Sequence, residues 1–425
     1  MVVLIAFLLL LINIPFGFWR GSTRKYSLAW FVSIHLPVFI SIYFRHLAEI
    51  EFDVLHISVF VLVFIGGQWL GNKIYLKYKD KIKSDHLKNN ILMKNKKAFV
   101  LINLGTPNQP TKKEVSKYLF QFLNDSRVID IPWLARKFLV NLIIIPFRLG
   151  KSTRLYQELW TSQGSLLSIY LNSLADKLNL KIGDEYQVFK AMRYGQPSLK
   201  TLMGQLEYKG FEEIVFFPLF PQYASSTTGS ISEKVFKEMK RWEAIPTIKL
   251  INQFYNHPEF IQAFSNRIAN SKPEKYDHII FSYHGLPIRH INKIHPQTDH
   301  KGCSCENEMP EHGNLCYKAT CYETTRLLIN KLNISEDKIS IGFQSRLSKN
   351  WVAPFTDELI INLAKRGTKK VLVVAPSFVA DCLETIVEID REYRDLFIEN
   401  GGEELKLVES LNDKDIWVDA MAKML

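Results

Sequence analysis

Two short segments put side chains capable of chemistry at the ends of apolar runs. The first is Ser282-Tyr283-His284-Gly285-Leu286-Pro287, after His278-Ile279-Ile280-Phe281; the second is Asp381-Cys382-Leu383-Glu384, after Val371-Leu372-Val373-Val374-Ala375-Pro376. Residues at the strand ends of an open α/β sheet face the crevice in which ligands bind. An imidazole and a carboxylate placed there suit proton abstraction, metal handling or both. Alone, each reads as a core histidine or a surface glutamate; their matching contexts point to one site. Glu388 and Glu392 follow Glu384 at spacings of four, on one face of a helix. Such a stripe is either solvated or, beside a strand end, able to concentrate a cation between repelling carboxylates.

The elements that must position these groups occupy the later part of the chain. Its 425 residues leave room for two or three domains. Residues 1–19, 26–44 and 54–70 are uncharged and each approaches the roughly 20 residues needed to cross a bilayer. The first lacks the basic start and small-residue site of a cleaved signal, so three spans are expected. His35, Pro37 and His56 lie within the later spans and receive no role. Arg20, Arg24 and Lys25 fill the first loop, Glu49, Glu51 and Asp53 dominate the second, and nine lysines against two aspartates follow in residues 73–97. The positive-inside rule then places the N-terminus outside and everything after residue 72 in the cytoplasm, at a bacterial inner membrane. Of the formal charge of +11, residues 73–97 carry +7. This lysine cluster suits anionic lipid, and the remainder lacks the basic face that nucleic-acid binding requires.

Residues 98–425 alternate between strands and helices. Strands are expected at 98–104, 187–191, 213–218, 279–283, 338–343 and 370–375, with helices at 114–123, 198–209, 232–242, 322–332, 356–365 and 383–397. Apolar runs bounded by Gly and Pro and separated by helices predict an α/β fold of two Rossmann-like domains with parallel sheets. The expected division is 1–72 membrane anchor, 73–95 basic juxtamembrane linker, 96–265 first domain and 266–425 second domain, with the C-terminal helix free to pack back on the first. Residues 131–149 combine Trp133, Leu134 and Phe138 with Arg136, Lys137 and Arg148. They read either as a core helix or as an apolar lip at a membrane interface. Four of five cysteines fall in Cys303-Ser304-Cys305 and Cys316-x4-Cys321. In a cytoplasmic domain this clustering favours metal over disulfide. The spacing lacks the CxxC pairs of zinc ribbons, and His295, His300 and His312 stand nearby as alternative ligands.

From residue 96 onward the chain resembles the ferrochelatases, enzymes that insert ferrous iron into a porphyrin. The resemblance rests on LINLGTP at 101–107, YLFQFLNDSRVID at 118–130, MRYGQP at 192–197, FPLFPQYASSTTGS at 217–230, SYHGLP at 282–287, QSR at 344–346, W-x-x-P-x-T-D-E at 351–358 and SFVADCLETIVEID at 377–390. It implies paired Rossmann-like domains around a porphyrin cleft and peripheral contact with membrane lipid. It makes His284 the residue facing the pyrrole nitrogens and Glu384 the cleft glutamate, with Glu388 and Glu392 continuing a track for Fe²⁺ or departing protons. By the same resemblance Tyr223, Ser226 and Thr227, with Arg193 and Arg346, are candidates to hold propionates. Some bacterial members carry a [2Fe–2S] cluster on four cysteines in this region, which makes Cys303, Cys305, Cys316 and Cys321 its expected ligands. Gly164-Ser165-Leu166 departs from the family's Gly-Ser-Pro. The function implied is insertion of Fe²⁺ into protoporphyrin IX at the cytoplasmic membrane face, possible pathway enzymes being neighbours. The alternatives are a coproporphyrin III substrate, or a non-catalytic membrane protein that binds or senses haem; the latter has no need of His284 and Glu384.

Overall fold

The structure, a computed structural model, describes residues 2–47, 53–90, 96–295 and 303–425. It divides into an N-terminal unit, residues 1–93, and a second unit that extends to the C-terminus.

The N-terminal unit is three helices, α1 (Val2–Ser22), α2 (Leu28–Leu47) and α3 (Val54–Asn90). Each is long and apolar enough to cross a membrane. α1 and α3 meet through glycines. A Cβ on Gly71 would lie 2.0 Å from the Ile14 carbonyl oxygen, and one on Gly17 2.4 Å from that of Gln68. Small residues let helix backbones approach where lipid gives no hydrophobic drive. Gln68 is buried and donates from Nε2 to the Ser33 carbonyl on α2 at 3.1 Å, which ties the third helix to the second. The basic stretch expected as a linker is helical as far as Asn90. Lysine is a good helix former, and nothing between residues 73 and 90 breaks the pattern.

The second unit holds two parallel four-stranded sheets. In the first, β1 (Lys97–Thr106), β2 (Tyr186–Gly195), β3 (Glu213–Pro218) and β4 (Thr247–Leu250) take the order β2-β1-β3-β4. In the second, β5 (His278–His284), β6 (Ile339–Gln344), β7 (Lys370–Val374) and β8 (Glu404–Leu407) repeat it as β6-β5-β7-β8. β1 and β5 are central, covered on both faces, and accordingly read as continuous apolar runs. In each sheet the chain steps to one side of the central strand and then to the other. The reversal opens a crevice at the carboxyl ends of β1 and β3, and another at those of β5 and β7. At the end of β1, Gly105 has φ +129° and a Cβ there would lie 1.9 Å from the Tyr194 carbonyl oxygen. Only glycine lets β1 and β2 run this close to the crevice.

One core joins both sheets. Phe99, Leu101 and Phe217 from the first belong to the same buried cluster as Phe281, Leu372 and Val374 from the second. The last helix, Asp415–Lys423, buries Trp417 against Phe254 and Phe260, and Lys177 reaches Asp415 at 2.9 Å.

Candidate active site

A cleft with about 1270 Å³ of empty volume, its open mouth included, lies where the carboxyl ends of both sheets converge. Its wall comes from Asn103–Thr106 at the end of β1, Leu219, Phe220, Gln222, Ala224, Ser226 and Thr227 after β3, His284 at the end of β5 with Leu286 beyond it, and Ser377–Ala380 with Cys382–Glu384 after β7. Tyr118, Phe122, Tyr156, Leu159 and Trp160 close the remaining side. Glu384 is the one carboxylate among the described lining residues, His284 the one imidazole, and no lysine or arginine lines the cleft among them.

His284 is the last residue of β5 and half-buried. Its Nδ1 lies 2.6 Å from the Gly285 carbonyl oxygen. A carbonyl only accepts, so Nδ1 carries the hydrogen and Nε2 keeps a lone pair. Tyr317 donates to the His284 carbonyl at 2.9 Å, and the rings of Trp351 and Phe378 flank the imidazole, each with its centroid 6.4 Å away.

Glu384 opens a π-helix, Leu383–Tyr393, that follows β7. Bonds from i to i+5 wind the chain more slowly than in an α-helix, so residues four apart stand almost above one another. Glu384, Glu388 and Glu392 therefore form a line along the axis rather than a drifting stripe. Their surroundings differ. Gln344, held by Ser282 at 2.8 Å, donates from Nε2 to the Glu384 carbonyl at 2.9 Å and so fixes the start of the helix. Burial pushes the Tyr118 and Tyr156 hydroxyls and the Cys382 thiol upward, with the charge of Glu384 the second cause for Tyr118 and Cys382 and coming after Tyr118 for Tyr156, so these neighbours stay protonated. Glu388 accepts from the Ser345 amide at 2.7 Å, Tyr393 at 2.8 Å, Gln344 at 3.1 Å and the Ser345 hydroxyl. Its oxygens are engaged in holding Ser345, whose φ of +61° is unfavourable for a residue with a Cβ. Glu392 is exposed. Of the three, only Glu384 lines the cleft.

Among the anion-binding candidates, Ser226 and Thr227 line the cleft and Tyr223 does not. Both arginines are committed elsewhere. Arg193 pairs with Asp125 at 2.5 Å and donates through Nε to Ser230. Burial alone would raise the Asp125 carboxyl, but the Arg127 amide, the Ser230 and Tyr194 hydroxyls and Arg193 outweigh it and hold it below the usual range. Arg346 pairs with Asp357 at 2.7 Å and Glu358 at 2.8 Å, its guanidinium 4.0 Å from the Phe355 ring centre. Each is an internal brace. Ser165 caps the helix Leu166–Ile182 and lines the cleft with Leu166, so the departure from Gly-Ser-Pro leaves a sound helix start. Tyr118 and Tyr156 received no role from the sequence; Tyr118 lay within a quoted motif, but nothing in residue type pointed its side chain toward Glu384.

The cysteines gather as their spacing suggests, with imidazoles among them. Cys305, Cys316 and Cys321 are buried and Cys303 half-buried. His295 Nε2 is 3.1 Å from Cys316 Sγ, and His312 Nε2 is 3.6 Å from Cys303 Sγ. Cys321 shares a hydrogen bond with Tyr317 in the core. A [2Fe–2S] cluster needs four thiolates facing two irons. Here Cys303 meets both the His312 imidazole and the Cys305 thiol, Cys316 meets the His295 imidazole, and the described donor atoms that lie within 4.8 Å of one another are those of His295, Cys303 and His312. The set does not fit an all-cysteine cluster. His300 lies outside the described residues.

The ferrochelatase family model matches residues 96–425. The chain is 41% identical over 341 residues to ferrochelatase of Coxiella burnetii strain CbuK_Q154, which covers 78% of this chain and 93% of that one. It is 40% identical over 336 residues to ferrochelatase of Legionella pneumophila strain Philadelphia 1, covering 78% and 98%. Among solved structures it is similar to SirB from Bacillus subtilis with Fe³⁺, at a TM-score of 0.43 and 12% identity, covering 77% of this chain and 93% of that one.

Proposed function

The chain belongs to the ferrochelatase family, enzymes of haem biosynthesis that insert iron into a porphyrin, and on that premise we propose that it converts protoporphyrin IX and Fe²⁺ to protohaem at the cytoplasmic face of a membrane. The observation that carries this reading is the placement of His284 and Glu384 on the wall of one apolar cleft.

Insertion exchanges two pyrrole protons for one dication. The nitrogens lie in the plane of the macrocycle, so a base must approach one face and the ring must pucker toward it. His284 supplies the base: with Nδ1 bonded to Gly285, Nε2 accepts a pyrrole proton. Glu384 gives the cleft its negative charge, which draws Fe²⁺ inward and offers a route for the departing protons. Glu388 acts behind it by fixing the turn at Ser345, and Ser226 and Thr227 offer hydroxyls and amides to a propionate.

The cleft wall favours protoporphyrin over coproporphyrin. Coproporphyrin carries more carboxylates, and the described lining residues include no cationic side chain to meet them. The lip supports work beside lipid. Trp133, Leu134, Phe138 and Phe147 are exposed, at 61%, 71%, 60% and 83%, next to Lys137 and Arg148. Basic residues around exposed aromatics suit a membrane interface. The N-terminal helices then serve as the anchor, with the lysine-rich end of α3 on the cytoplasmic side.

The test is metal insertion by the detergent-solubilised full chain, offered Fe²⁺ with each porphyrin. Turnover is expected with protoporphyrin IX, and His284→Ala should lower kcat by about 10²–10⁴-fold, the usual worth of a positioned general base. A near-normal rate in that variant would remove His284 from the reaction; faster turnover of coproporphyrin III would reassign the substrate.

A further inference from the structure

The geometry points to a second metal site, separate from the cleft, in which His295, Cys303 and His312 hold one divalent cation of the zinc class, with Cys316 packed against His295. None of the four lines the cleft.

The donor atoms of His295, Cys303 and His312 all lie within 4.8 Å of one another. Cys316 stands behind the set, outside that group, its Sγ 3.1 Å from His295 Nε2. A tetrahedral zinc with bonds of about 2.0–2.3 Å holds its donors about 3.3–3.8 Å apart. The separation of 3.6 Å between Cys303 Sγ and His312 Nε2 therefore matches the spacing such an ion imposes. The His295 and His312 rings stand edge to face at 4.7 Å, so both present nitrogens to the same small volume without stacking. Two imidazoles with one thiol are a borderline-soft donor set that leaves a fourth position open to solvent, which suits Zn²⁺ over a hard cation such as Mg²⁺.

Burial grades across the site. His295 and Cys316 are buried, Cys303 is half-buried and His312 is exposed, so an ion has an entry from solvent and a fixed inner wall. That inner wall touches the catalytic part. Cys316 precedes the helix Tyr317–Leu332, and Tyr317 donates to the His284 carbonyl. A cation held by His295, which meets Cys316 Sγ at 3.1 Å, thus steadies the start of the helix that positions His284, a brace in which metal does no chemistry.

The experiment counts metal in the full chain. The detergent-solubilised protein is loaded with Zn²⁺, washed with chelator and assayed for zinc per chain; a parallel sample is loaded with Co²⁺ for thiolate-to-metal absorption. Wild type should keep one zinc and show the cobalt–thiolate band. Cys303→Ser with His312→Ala, both outside the deep core, should lose both signals while the protein keeps its thermal transition before zinc addition. Cys305→Ala should retain zinc. Failure of wild type to keep zinc, or retention by the double variant, overturns the site. So does a red-brown protein whose iron and labile sulfide vanish in Cys321→Ser. None of these results touches the ferrochelatase reading, which metal insertion tests separately.

Discussion

Glu384 and Glu388 are the same residue type, one turn apart, yet hydrogen bonding gives them different work. Glu388 accepts four donors and holds Ser345 in a left-handed turn. Glutamine there keeps the size, but its amide nitrogen cannot accept, which leaves two donors facing a donor. Hydrogen bonds to a charged group are worth about 1.5–3 kcal/mol each, so Glu388→Gln should lower the unfolding midpoint by several degrees and reduce kcat only through that loosening. Glu384→Gln should leave the midpoint nearly unchanged and raise the concentration of Fe²⁺ needed for half-maximal rate. Equal loss of iron affinity in both variants, with no change in midpoint, would make Glu388 a cation ligand after all. The sequence placed both glutamates on one helix face as parts of one acidic track, yet only Glu384 lines the cleft and Glu388 is engaged with Ser345. It could not show that Ser345 lies beside the second one, because that contact spans about forty residues of chain and depends on how β6 meets the π-helix. Arg193 and Arg346 illustrate the same limit. A strand-end arginine looks the same in sequence whether it faces a ligand or a local carboxylate, and here Asp125, Asp357 and Glu358 claim both.

The elements that carry the site were legible where their pattern was long. β1, β3, β5 and β7 are buried on both faces and declare themselves as apolar runs, which is why the strand ends bearing His284 and Glu384 stood out. β4 and β8 were not legible. Thr-Ile-Lys-Leu and Glu-Leu-Lys-Leu are four-residue edge strands with alternating polarity, too short to separate from loop. The π-helix was also missed as such, since its amphipathic spacing resembles that of an α-helix. Between elements, the strongest electrostatic tie joins Asp130, just before the lip, to Arg289, Lys293 and His290 on the short helix after β5. Burial would raise the Asp130 carboxyl, but hydrogen bonds from Arg289, Lys293 and His290 hold it far below its ordinary range. His290 is itself pushed down, mainly by burial. A carboxyl depressed in the folded state adds stability that is fully present above its unfolded pKa, near 4, and that is lost as pH falls further. Asp130→Asn should therefore lower the melting temperature at pH 7 and by a somewhat smaller margin at pH 3, where the depressed carboxyl is still ionised in the folded state. An equal penalty at both pH values would mean that the residue contributes shape rather than charge.

At the scale of the molecule, the N-terminal helices and the lip make the same demand on the substrate. Protoporphyrin partitions into lipid, so an enzyme confined to the bilayer surface meets it at a raised local concentration. On the proposed reading the lip would be the port through which the macrocycle leaves the bilayer, and its exposed aromatics should then govern capture and leave chemistry alone. Trp133, Phe138 and Phe147 are largely exposed, so replacing all three with serine costs little core packing. With protoporphyrin supplied in anionic vesicles, the triple variant should show a KM raised several-fold and an unchanged kcat. With a sulfonated, water-soluble porphyrin in detergent, its KM should match wild type. A lowered kcat in both assays would place these side chains in the fold or the cleft. Unchanged KM in vesicles would mean that the porphyrin enters by another route and that anchoring alone concentrates it.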